Sequence, residues 1–192
     1  MPDISVSLYF TWQIAAAEAL HGHHALIAPA HLFMGLCSLD KMFMQLQLPD
    51  PIAVELRREW AILAELFARF NIDPITFRRE LRTRIGKGSF SVQGRRTISR
   101  SPASKAVFAR ANELAANASA ILTQHMLAAL LEGVNNPAVG LLKEKGVDVT
   151  ALGNAALAIP PQPVVIHIPR LETLVLGNIE ELLKTLKLPS GP

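Results

Sequence analysis

The sequence predicts an all-α protein built as a tandem repeat, and two observations carry the prediction. The stretch Ile121 to Leu131, ILTQHMLAALL, has a diverged earlier copy in Ile27 to Leu36, IAPAHLFMGL. Aligning His31 with His125 gives an offset of 94, which also pairs Ile27 with Ile121, Leu20 with Leu114, Ala17 with Ala111 and Leu36 with Leu130. Downstream, Phe70 to Phe77 (FNIDPITF) answers Lys145 to Leu152 (KGVDVTAL) at an offset of 75, so the first copy is 19 residues longer. The second observation is that apolar residues recur at helical spacing between matching punctuation in both copies.

Half of the 192 residues are hydrophobic, enough for one substantial core or two small ones packed together. The formal charge is only +3, so bulk charge does not mark a nucleic-acid binder. One cysteine, Cys37, excludes an intramolecular disulfide and fits a reducing compartment, with cytoplasm as the expected location. The N-terminus lacks a basic n-region, and no apolar run reaches the roughly 18 residues that a membrane span needs.

Ser7 to Leu20 reads as an Ala-rich helix with Ile14, Ala17 and Leu20 on one face, broken by His21-Gly22-His23-His24. Pro29 suits the first turn of the next helix, which runs to about Ser38 with Leu32, Leu36 and Leu39 as its core stripe. The extra residues fall between Met44 and Ala64, where they lengthen or precede a helix over Val54 to Phe70. Asp73 and Pro74 are the N-cap and first turn of a helix ending near Gly86. Gly86 to Ser101 reads as a loop by composition. From Arg78 to Arg100 there are eight basic residues against Glu80 alone, a basic collar between the copies.

Ser101-Pro102 opens the second copy, whose first helix is again Ala-rich from Ala106 to Ala116. Thr123 is the expected cap of the helix carrying His125, Asn136-Pro137 begins a shorter helix closed by Lys145-Gly146, and Asp148 caps a last helix to about Leu157. Three prolines make Ile159 to Pro163 a stiff linker. Beyond it, Val164 to Ile168 suits a short strand. Leu171, Leu174, Val175, Ile179, Leu182, Leu183 and Leu186 form an apolar helical face that needs a partner. The domain expectation is a repeat domain over 1–158 (copies about 5–86 and 101–158, linker 87–100), a Pro-rich linker 159–168 and an amphipathic helix with tail at 169–192.

The paired Ala-rich helix, the short loop, the xxH-[LM]-[LF]-x-[GA]-L helix and the N-[VI]-D or G-[VI]-D turn resemble the double Clp repeat. This is the N-terminal domain of Clp and Hsp100 AAA+ unfoldases, and the resemblance covers roughly residues 5 to 158. It implies about eight helices with pseudo-two-fold symmetry. It also implies a module that binds substrate proteins, exposed hydrophobic segments or an adaptor and passes cargo to an AAA+ ATPase ring. Unfoldases of this class that read phosphoarginine commonly carry Glu before the motif histidine. Here those positions are Ala30 and Gln124, so that specificity is not expected. No G-x-x-x-x-G-K-[ST] occurs: Leu81 stands five before Gly86, and Lys87 is followed by Gly88. The resemblance therefore implies neither cofactor nor catalysis in these residues, whether they are one domain of a larger unfoldase or stand alone.

The site expectations follow. Phe33, Met34, Phe43, Met44 and Trp60 concentrate apolar bulk in the first copy, and soft Met side chains suit surfaces that accept varied sequences. With Arg95 and Arg96 as steering charges, they are the candidate protein-binding residues, on a groove between the repeats or on the insertion. His31, His125, Gln124 and Gly146 are expected to be structural members of the repeat motif. His21, His23, His24 and His31 lack a Cys, Asp or Glu to complete a metal set, and Cys37 sits in an apolar run as a packing residue. With Phe90 as the sole interleaved aromatic, the basic collar has little support for base stacking, so nucleic acid is disfavoured. The alternative is a self-assembling structural or regulatory protein, a homo-oligomer docked through its C-terminal helix.

Overall fold

A computed structural model of the chain describes residues 3–41, 48–91, 97–164, 167–168 and 174–175. Eight helices lie among them. The first copy supplies α1 (Val6–His21), α2 (Pro29–Leu36), α3 (Asp50–Arg69) and α4 (Pro74–Ile85). The second supplies α5 (Pro102–Leu114), α6 (Thr123–Leu131), α7 (Pro137–Glu144) and α8 (Val149–Ala158). Five short strands accompany them: β1 (Ile4–Ser5), β2 (Leu26–Ile27), β3 (Thr97–Arg100), β4 (His167–Ile168) and β5 (Leu174–Val175). No helix among the described residues is long and apolar enough to cross a membrane.

Local chemistry sets most helix starts. Ser5, Asp73, Ser101, Asn136 and Asp148 each place a side-chain oxygen on a first-turn N–H, of Leu8, Thr76, Ser104, Ala138 and Ala151 respectively, at 2.9–3.1 Å. The 75-residue offset is structural as well. Asn71 (φ 55°) and Gly146 (φ 77°) both end a helix in the left-handed region. The next amide then reaches back five residues, from Ile72 to Phe67 O at 2.8 Å and from Val147 to Leu142 O at 3.0 Å.

The two copies are interleaved. Ile4 bridges Ile121 in parallel, with Ser5 N–H on Ile121 O at 3.0 Å and Ile121 N–H on Asp3 O at 2.9 Å. Reciprocally, β2 pairs in parallel with β3, Ile27 opposite Arg100. Each copy therefore lays the segment before its first helix beside the segment before the other copy's second helix. A single core runs through both, from Phe33, Phe67 and Phe77 to Trp12 and Phe108, whose rings lie 5.5 Å apart. The Arg100 guanidinium sits over both of those rings, at 4.8 and 4.6 Å.

Three sequence expectations change. The segment from Gly86 to Ser101 ends in a strand, because β3 finds β2 as a partner from the other copy. Leu174 and Val175, expected on a helix, form a strand antiparallel to β3, while the rest of that expected helix lies outside the described residues. Thr123 is the first residue of α6 rather than its cap. The expected strand near Ile168 does form, antiparallel to β1 with Ile4 opposite Ile168.

Candidate functional site: a groove between the repeats

The paired histidines explain the unusual starts of α2 and α6. Each is the third residue of its helix, and each ring accepts the N–H of the residue at the cap position: Ala28 N–H to His31 Nδ1 at 2.9 Å, and Leu122 N–H to His125 Nδ1 at 3.1 Å. The side chain thus does for an apolar cap residue what Glu does in a capping box. Burial pushes both rings down to about 4, with the nearby His24 adding to the effect on His31. Both therefore hold the neutral form that an acceptor nitrogen requires.

Gln124 donates from Nε2 to Ile159 O at 2.7 Å, fastening the Pro-rich linker to the start of α6. Beside it lies Glu59, fully enclosed, whose Oε2 accepts Thr123 N–H at 2.8 Å and Thr123 Oγ1–H at 2.9 Å. Burial raises its carboxyl against the lowering effect of those bonds. Sequence reasoning missed this residue, since nothing local distinguishes it from its neighbours on α3.

Four residues of the basic collar, Arg78, Arg82, Arg84 and Arg100, are committed within the molecule. Arg78 Nε donates to Glu18 Oε1 at 2.8 Å, and Arg82 Nη2 to Oε2 at 2.8 Å. Burial works to raise Glu18, yet the bonds and charges of the two arginines outweigh it and hold the carboxyl below its usual range. Arg84 forms a two-pronged pair with Glu144, and Glu80 pairs with Lys145, which ties α4 to α7 across the copies. Arg95 and Arg96 lie outside the described residues.

Of the expected contact residues, Phe33 and Met34 are corrected. They are 0% and 1% exposed, because α2 is enclosed by α1, α4 and the second copy, so they build core and not a surface. Trp60 is half-buried against that core, and Phe43 and Met44 lie outside the described residues. The histidine turn is used for packing. His23 Nδ1 lies 3.2 Å from Phe90 O, His24 Nε2 lies 3.3 Å from Gly86 O, and the His24 ring packs at a tilt against His31, 4.8 Å between centroids. No metal-binding group forms among the described residues. Cys37 is enclosed, and burial pushes its thiol far up, away from thiolate chemistry.

A groove between the repeats does exist, with other residues as its walls. An open cavity of about 450 Å³ lies between the start of α2 (Ala28, Pro29), the outer face of α5 (Ala103, Ala106, Val107) and the turn from α6 to α7. Its depth comes from small side chains, which is why a search for aromatic bulk did not find it. Arg110 closes one rim, donating to Glu132 at 2.7 and 3.0 Å and to Glu113 at 2.8 Å. Asn136 turns both ends of its amide to the backbone, Nδ2 donating to Leu130 O and Oδ1 accepting Ala138 N–H, and the surface is largely apolar. Val134, 92% exposed, stands in the turn that forms the far wall.

This architecture is an all-α double repeat whose two copies are interleaved. The model of the family "Clp repeat (R) N-terminal domain" matches residues 55–145. Among solved structures, the chain is similar to the Hsp104 N-terminal domain of Candida albicans, with TM-score 0.59, 17% identity, and coverage of 81% of this chain and 90% of that one. It is also similar to the N-terminal domain of the caseinolytic protease associated chaperone ClpD of Arabidopsis thaliana, with TM-score 0.52, 16% identity, and coverage of 81% and 92%. No curated protein matches the chain.

Proposed function

We propose that the chain is a protein-binding module that presents the groove between its repeats to substrate proteins or to an adaptor of a Clp-type AAA+ unfoldase, without chemistry of its own. The observation that carries this reading is an apolar groove whose walls come from both copies, on a fold shared with unfoldase N-terminal domains. Binding would come from burying exposed apolar side chains against Ala103, Ala106, Val107 and Pro29, with the ion network of Arg110 at the rim.

The test uses the full chain and a permanently unfolded client, reduced and carboxymethylated α-lactalbumin. NMR shifts on titration should map to α5 and to the start of α2. Ala106→Glu places a charge on an exposed wall position, so it should weaken the client at least ten-fold with an unchanged thermal midpoint. Shifts confined to other faces, or equal binding by the variant, would remove the groove from the function.

A further inference from the structure

The two copies differ in what covers the outer face of their first helix. In the 75-residue register α7 corresponds to the last turns of α3, so Asp50 to Ala61 has no counterpart in the second copy. These added turns are seated through Ile52, Leu56 and Glu59, all buried. Glu59 hydrogen-bonds Thr123 at the start of α6, and the helix that carries it packs on α1. In the 94-residue register the matching walls in the other half are the start of α2, where Pro29 replaces Thr123, and α5, which replaces α1. Those are two walls of the groove. Tyr9, 5% exposed, becomes Ala103, and Trp12, whose ring lies against Phe108 and Arg100 of the second copy, becomes Ala106; both alanines face solvent. The first half carries its own covering helix, and the second presents the equivalent seat uncovered.

We infer that the groove takes an amphipathic α-helix of a partner protein, seated between α5 and the start of α2 as Asp50 to Ala61 is seated between α1 and the start of α6. The inference rests on the binding role above and narrows its partner from any exposed apolar segment to a helix. The partner presents apolar residues one turn apart, as Ile52 and Leu56 do. It departs from α3 at the position of Glu59: Pro29 has neither N–H nor hydroxyl, so a carboxylate there would be desolvated without donors. Because Arg110 is already held by two carboxylates, selection falls to apolar shape.

The probe is a fluorescein-labelled peptide of residues 50–66 carrying Glu59→Ala, titrated by anisotropy into the full chain. A second peptide adds Arg57→Pro, which breaks the helix at an exposed position and leaves the apolar stripe intact. The first should bind, and the second at least ten-fold more weakly. Ala103→Trp and Ala106→Trp fill the groove from exposed positions and should each abolish binding without moving the thermal midpoint. Equal binding of the two peptides, or binding indifferent to both tryptophans, overturns the helix inference. If neither peptide binds while the unfolded client still binds in an Ala106→Glu-sensitive way, the inference fails and the binding role stands. If nothing engages the groove, both fail.

Discussion

His31 and His125 hold the starts of two buried helices by accepting a backbone N–H, so their function requires neutral rings. That sets a direction for acid stability. Each ring titrates near 4 in the folded chain against about 6.5 when unfolded, so between those values the unfolded chain binds the extra proton. Their contribution is complete above pH 6.5 and is lost as pH falls toward 4, at up to about 1.4 kcal/mol per pH unit for each. Glu59 runs the other way, since its raised carboxyl favours the fold at the acidic side. His125→Asn puts Oδ1 where Nδ1 stands, keeping the acceptor and removing the titration. Urea midpoints at pH 7 and pH 5 should then show an acid loss smaller by about 1–2 kcal/mol; an unchanged difference would sink this account. The histidines were legible because the repeat displays them twice. Glu18 and Glu59 were not, since their partners lie 60 or more residues away in sequence and only the fold joins them.

At the scale of elements, the contact between α1 and α2 depends on one absent side chain. A Cβ built on Gly35 would lie 2.3 Å from Thr11 O, a backbone atom that cannot swing aside. Gly35→Ala should therefore force the helices apart and cost about 1–3 kcal/mol, read as a lower urea midpoint with an unchanged slope. An alanine variant as stable as the native chain would show that this crossing is slack. The same position in the second copy is Ala129, so the repeat pattern alone would wrongly score the substitution as neutral. Helix limits set by Asp73, Asn136 and Asp148 could be read from sequence because a cap is local chemistry. The strands could not, since two to four residues carry no periodicity and their partners lie in the other copy. Thr123 misled for a related reason: its hydroxyl is engaged by Glu59 while His125 caps the helix from within.

Over the whole molecule, the interleaving of the copies decides what can fold alone. The first copy's leading strand pairs beside Ile121, the second copy's beside Ile27, and Trp12 packs on Phe108 across the boundary. Ser104 Oγ–H on Ile27 O at 2.6 Å and Thr123 on Glu59 add one side-chain tether in each direction. Cutting between the copies would expose Trp12, Phe108 and Ile27 and leave both strand edges unpaired, losses that no contact inside either half replaces. A chain of residues 1–91 and one of 97–164 should each lack dispersed amide shifts, and heating the intact chain should give one transition with coincident far-UV and Trp-fluorescence midpoints. A folded isolated half, or two separated transitions, would make the halves independent domains. Such independence would bear directly on the groove, because its walls come from the start of α2 and from α5, one in each copy, and it persists only while the two stay locked.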